Sequence, residues 1–290
     1  MKLRLISGIL AGVLLLSGIC FLPPIGSWFI IAIISALAQF EFYVLVNRAG
    51  IPVFRYLGIF CGTAIISATF LTGAMSQEEI HKGYMMENII LLSSLVLVFF
   101  RQFPQKDNDK PLATIACTIL GICYVPFLFN YFTRIVAAWG DMSLVHHELS
   151  PAKWLIIYLL VVVKLSDVGA YFIGSAIGRH KLMPRISPKK TWEGFIGGMA
   201  TSLIASLIFF YATKGHFGWI TMELHDAIIL GLVLPLLGVV GDLFESLLKR
   251  SAEMKDSSTI IPGMGGILDM IDSVLFATPA LYFYTVYFLS

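Results

Sequence analysis

Charge is scarce in this sequence. Asp, Glu, Lys and Arg make up 13% of its 290 residues, where a soluble domain carries about 25%. Hydrophobic residues make up 58%, and mean hydropathy is +0.85. Such a chain cannot hide its apolar surface from water. That excludes an ordinary soluble domain and leaves an integral membrane protein. Cysteine is sparse too. Cys20, Cys61, Cys117 and Cys123 all lie in apolar runs without C-x-x-C spacing. They read as small buried hydrophobes, not as a disulfide framework or a zinc site. The histidines show no H-E-x-x-H pattern, the chain has no G-x-x-x-x-G-K-[ST] phosphate loop, and it has no G-x-S-x-G elbow. Linkers, low-complexity tracts and internal repeats are absent. The first apolar run lacks an A-x-A-like cleavage site, so it reads as an uncleaved first helix rather than a signal peptide. The net charge of +2 says little about partners, and no nucleic-acid partner is expected.

What is present is a series of apolar runs, each near the roughly 20 residues that cross a bilayer core of about 30 Å. Nine are expected, at about 5–22, 27–46, 56–75, 88–103, 112–133, 154–177, 194–213, 226–248 and 267–289. The fourth is short, and the fifth carries Pro126. The expected fold is all-α and polytopic. The loops alternate in positive charge. One side holds Lys2, Arg4, Arg48, Arg55, Arg101, Lys106, Lys110, Arg179, Lys181, Arg185, Lys189, Lys190, Lys249, Arg250 and Lys255. The other holds only Lys82, Arg134, Lys153 and Lys214, and Lys164 lies within a span. Positive loops stay cytoplasmic, so the N-terminus is expected in the cytoplasm and the C-terminus outside. Loops 178–193 and 249–266 then face the cytoplasm, where nucleotides and anionic headgroups meet. Residues 1–150 hold few polar groups within spans, whereas 151–290 hold nearly all the intramembrane carboxylates. This divides the chain into an N-terminal region of spans one to five and a C-terminal catalytic region of spans six to nine.

Four stretches carry chemistry. In "GDLFESLLKR", Asp242, Glu245, Ser246 and Lys249 share one helix face. A charged group deep in a span usually faces a polar cavity. Lys249 and Arg250 also suit a helix end reaching the interface. In "PGMGGILDMIDS", Pro262, Gly263, Gly265 and Gly266 prevent regular helix. A helix starting near Ile267 would then aim free N–H groups at an anion. Asp269 and Asp272, one turn apart, can reach one cation, and Mg²⁺ suits carboxylates plus substrate phosphates. In "KLSDVGAYFIG", Lys164 and Asp167 either form an ion pair or line the same cavity. In "GRHKLMPRISPKKTWEGFIGG", five positive side chains form a sink for phosphates beside the dense block Ser187, Lys189, Lys190, Thr191 and Glu193. Together these describe a cytoplasm-facing intramembrane cavity suited to phosphoryl or nucleotidyl transfer to a membrane lipid.

These motifs resemble the phosphatidate cytidylyltransferase (CDP-diacylglycerol synthase) family. Its signature reads roughly S-x-x-K-R, four residues, K-D, then P-G-H-G-G-x-x-D-R-x-D. Ser246, Lys249, Arg250, Lys255, Asp256, Pro262, Gly263, Gly265, Gly266, Asp269 and Asp272 fall in register with it. The motif likeness covers about residues 150–290; before that it rests on hydropathy and span count. Met264 stands where the family usually has His, and Met270 where it has Arg. The resemblance implies CTP and phosphatidate as substrates in the inner membrane, with CDP-diacylglycerol and pyrophosphate as products. It implies Mg²⁺ on Asp242, Asp269 and Asp272, with a second cation allowed. Lys189, Lys190, Lys249 and Arg250 would hold phosphates, with Asp167 and Asp256 as metal ligands or their neighbours. A homodimer is expected from the same likeness. Two rival readings stay open at this point: a CTP-dependent polyprenol kinase or CDP-archaeol-type synthase, and an ion-coupled transporter using Lys164, Asp167 and Asp242.

Overall fold

The computed structural model describes residues 24–73, 77–140, 149–254, 257 and 265–289. They form α1 (Pro24–Arg48), α2 (Arg55–Gly73), α3 (Gln77–Gln102), α4 (Pro111–Ile122), α5 (Leu128–Trp139), α6 (Pro151–Ile177), α7 (Trp192–Thr213), α8 (Leu224–Ser251) and α9 (Ile267–Tyr284). A π-helical segment, Cys123–Phe127, joins α4 to α5, so the two make one long apolar helix. Pro126 lies inside it. Proline has no N–H to give, and the ladder shifts register around it. Among the described residues, eight helical segments are then long and apolar enough to cross a membrane. They match expected spans two to nine, and the first expected span, 5–22, lies outside the described residues. The chain is an all-α integral membrane protein.

The helix α3 begins at Gln77, but its apolar stretch is Met85–Gln102, 18 residues, so the fourth span is short as expected. One expectation changes. The loop 178–193 is not irregular: β1 (Lys181–Met183) and β2 (Ser187–Thr191) pair antiparallel. A second small pair, β3 (His216–Phe217) and β4 (Ile220–Thr221), links α7 to α8.

The chain divides into two compact units. The first comprises Met1–Leu144 with Leu248–Met270. Within it, the fully buried Tyr43 of α1 sits against Gly58 of α2 and Gly121 of α4, where any Cβ would overlap its ring. Its hydroxyl donates to the Thr118 carbonyl at 2.8 Å and accepts from Gln39 Nε2 at 3.1 Å. Cys61, Ile65, Val98 and Ile122 form an adjoining apolar cluster. The first unit also buries charge, contrary to the expectation that its spans hold little. Glu87 of α3 is buried, accepts from Thr69 Oγ1 at 2.6 Å and is ion-paired to Arg134 of α5. Asn130 donates to the same Thr69 hydroxyl at 2.6 Å.

The second unit comprises Val145–Leu247 with Ile271–Ser290. Here α6 and α7 pack through small residues. A Cβ at Gly198 would meet the Ser166 carbonyl, and one at Gly169 would meet Thr201. Small side chains let backbones approach when lipid gives helices no hydrophobic reason to associate. Ser202 Oγ donates to the Val162 carbonyl at 3.1 Å, and Ser206 Oγ donates to that of Ala227 at 2.6 Å, tying α7 to α6 and α8.

Candidate active site

In the second unit, α8 carries Gly238 and Gly241 against α9. A Cβ on Gly241 would overlap the Asp272 carbonyl oxygen, and one on Gly238 would press on that of Ser273. With no side chain at these positions, the two backbones approach. The approach brings Asp242 and Glu245 of α8 beside Asp272 of α9, with one carboxylate oxygen from each within 4.8 Å of the others. Glu245 and Asp272 are buried, and Asp242 is about one-third exposed. Three carboxylates gathered this closely repel one another unless cations offset them.

Lysines supply part of that offset. Lys190, at the end of β2, meets Asp242 at 2.7 Å. Lys164 of α6 donates to Ser273 Oγ at 2.8 Å and stands 3.7 Å from Asp167. Of the two alternatives for Lys164 and Asp167, the ion pair is present, and Lys164 also reaches α9. Ser246 Oγ donates to Asp242 Oδ1 at 3.3 Å. The hairpin that presents Lys190 is anchored at both ends. Thr191 caps α7, its hydroxyl accepting from Gly194 N at 3.1 Å. The Glu193 carboxylate accepts from the backbone N–H of Arg179 at 3.1 Å and from that of His180 at 3.2 Å. Ser187 is half-buried and Lys189 exposed on the hairpin.

Gly241→Ala is expected to force α8 from α9 against backbone, an overpacking cost of about 1–3 kcal/mol. Activity should fall together with thermal stability in detergent. An alanine variant with full activity would mean the close approach is not needed.

The first unit holds the second group. Asp269 Oδ1 accepts from Lys249 Nζ at 2.6 Å, both side chains being about seven-eighths buried. Asp269 Oδ2 accepts from Ser257 Oγ at 2.7 Å, Ser257 N at 3.0 Å and Gly266 N at 2.7 Å. The chain enters α9 through Gly265, whose φ of +107° favours glycine. The helix does begin at Ile267 as expected. Two N–H groups at this start are already taken: Asp269 accepts that of Gly266, and the carboxylate of Glu41, from α1, accepts that of Leu268 at 2.8 Å.

The structure therefore gathers Asp242 and Asp272 with Glu245, and places Asp269 with Lys249 and Ser257. Arg250 is exposed at the end of α8. Lys255, Asp256, Pro262, Gly263 and Met264 lie outside the described residues. Sequence reading put Glu245 on the right helix face without naming it a ligand. It passed over Glu41 altogether, although a lone carboxylate in "ALAQFEFYVL" was the available signal.

The family model for the cytidylyltransferase family matches residues 2–288. The chain belongs to the cytidylyltransferase family. It is 32% identical over 286 residues to a Bacillus subtilis (strain 168) protein named phosphatidate cytidylyltransferase, covering 98% of this chain and 97% of that one. A Haemophilus influenzae protein of the same name is 33% identical over 239 residues, covering 79% of this chain and 78% of its own. One from Staphylococcus aureus (strain COL) is 33% identical over 289 residues, covering 97% of each. As a cytidylyltransferase family member with eight candidate membrane spans among its described residues, the chain is a membrane-embedded nucleotidyltransferase.

Proposed function

We propose that the protein transfers the cytidylyl group of CTP to phosphatidate, giving CDP-diacylglycerol and pyrophosphate. The observation that carries this reading is the group Asp242, Glu245 and Asp272 inside membrane helices, with Lys190 on Asp242. Relatives named phosphatidate cytidylyltransferase support the choice of acceptor.

The donor set fits a hard divalent cation, because all three groups offer carboxylate oxygen and are close enough to share one ion. Asp242, Glu245 and Asp272 would hold it, as Mg²⁺, and a second cation remains compatible with the surrounding carboxylates. When bound, the cation offsets triphosphate charge and steadies the leaving pyrophosphate. The chain's own groups do the rest. Lys190 and Lys164 bring positive charge to the carboxylates, and Lys189 and Arg250 attract phosphates from solvent. Lys249, fixed by Asp269, holds a further positive charge at the end of α8. The attacking oxygen of phosphatidate is already anionic, so no base is needed to remove a proton. Its bond to the α-phosphorus forms as the bond to the β-phosphate oxygen breaks, and pyrophosphate leaves with that electron pair. Met264 and Met270 therefore remove no step from this chemistry. The N-terminus and the loops 178–193 and 249–266 lie on the cytoplasmic side of the inner membrane in this reading, by the distribution of Lys and Arg. Residues 151–290 form the catalytic region, and a homodimer is the expected assembly.

The test is pyrophosphate release by purified protein in phosphatidate micelles with CTP and Mg²⁺. Release is expected only with phosphatidate present. Turnover with an isoprenoid alcohol and none with phosphatidate would replace this reading with the kinase one.

A further inference from the structure

Glu41 lies in α1, in the part of the chain that showed no motif, and its side chain is buried. Its Oε2 accepts from Leu268 N at 2.8 Å and from Ser257 Oγ at 3.2 Å, across 227 and 216 residues of sequence. All of these groups belong to the first unit.

The contacts have the logic of a helix cap divided between two segments. In a capping box, the side chain before the helix accepts an N–H from the first turn, and a carboxylate at the third helical position reaches back to the cap's own N–H. Asp269 performs the second half on Gly266. Gly266 has no side chain for the first half. A Cβ there would run into Ser257 Oγ and Glu41 Oε2 and displace them. Glu41 occupies that space and accepts the Leu268 N–H in its place. Ser257 completes the link: its hydroxyl stands 2.7 Å from Asp269 Oδ2 and 3.2 Å from Glu41 Oε2, one proton shared between two carboxylates.

We infer that Glu41 is a positioning residue for the transfer reaction, acting through Ser257 and the start of α9 to fix the Asp269–Lys249 pair. This rests on the reaction proposed above and adds to it a residue from α1. Orientation of a charged pair is worth a large factor in rate, since displacements near 1 Å can cost about a hundredfold.

Three variants separate positioning from packing: Glu41→Leu, which fills the space without accepting a hydrogen bond; Glu41→Gln, whose amide oxygen still accepts; and Ser257→Ala. Kinetics would be run with CTP, phosphatidate and Mg²⁺ in micelles, normalised to folded protein. Glu41→Leu is expected to lower kcat by at least about tenfold. The KM for CTP should stay within about twofold, as should the Mg²⁺ requirement, because the Asp242 cluster keeps its own supports. Glu41→Gln should stay within about threefold of wild type. Ser257→Ala should add little to Glu41→Leu, because both break one link. Equal kcat for the leucine and glutamine variants, or leucine loss confined to melting temperature, would overturn the inference. An inactive wild type would instead overturn the proposed reaction. Hydrogen exchange at residues 265–269 then decides Glu41 alone: unchanged protection in Glu41→Leu overturns its role, and faster exchange supports it.

Discussion

Asp272→Asn is expected to raise or preserve the thermal stability of the metal-free protein while removing at least about a hundredfold of its activity. The two effects have one cause. Asp272 is buried within reach of Asp242 and Glu245, and without a cation the three repel. Asparagine has nearly the same shape and keeps an oxygen for the Ser273 backbone N–H that Asp272 accepts. It removes one acid from a cluster whose members, within 4.8 Å of one another, cannot all hold their charge without a cation. The same change removes a cation ligand. Wild-type protein should melt higher with added Mg²⁺ than with EDTA, since a ligand that binds only the folded state stabilises it. Asp272→Asn should lose that difference. The measurement is a detergent melting curve with and without Mg²⁺ beside a pyrophosphate assay. A variant that melts lower in EDTA and still responds to Mg²⁺ would show that the three carboxylates are not the cation site.

Glu87→Ala is expected to cost about 3–5 kcal/mol, the largest stability loss foreseen for one side chain here. Arg134 is about seven-eighths buried and loses its ion-pair partner in this variant. Thr69 Oγ1 loses an acceptor as well. The guanidinium keeps the Tyr131 ring, 4.5 Å from its carbon, which offsets only a small part of the loss. Replacing both partners with apolar residues, Glu87→Leu with Arg134→Met, should recover most of the stability, because neither charge then remains buried. Chemical or thermal unfolding of the wild type, single and double variants reads this directly. A single variant as stable as wild type would mean the pair is well solvated. Pyrophosphate release per folded molecule should be near wild type throughout.

Most of the fold was legible because hydropathy is a local property. Spans two to nine each announced themselves within about 20 residues, and the ends of the sixth, seventh and ninth spans fell within a few residues of expectation. The β1–β2 hairpin was not legible. Lys181–Thr191 holds charge and proline instead of alternating apolar residues, and its order comes from Thr191 and Glu193 anchoring it to the start of α7. The carboxylates on α8 and α9 were visible as helix-face patterns, yet their grouping depends on Gly238 and Gly241, whose role appears only when α9 lies against them. Asp269 and Asp272 are one turn apart and looked equivalent. Lys249 and Ser257 engage the first, and the α8 carboxylates stand beside the second. Glu41 and Glu87 were passed over because single acids in apolar runs signal nothing until their partners, far along the chain, are known.

The division of the chain also sets an order of events in its synthesis. The first unit takes residues 248–270 as well as the first 144, so α1 to α5 can be inserted long before the unit is complete. Until Ser257 and Leu268 emerge, Glu41 lacks the hydroxyl and the N–H that receive it in the finished protein. An acid held in a bilayer without such partners is costly. The first unit therefore cannot make these bonds until its late C-terminal segment has been synthesised. A chain stopped short of residue 248 would leave Glu41 without Ser257 and Leu268, so its defect would lie in its first helix rather than at its broken end.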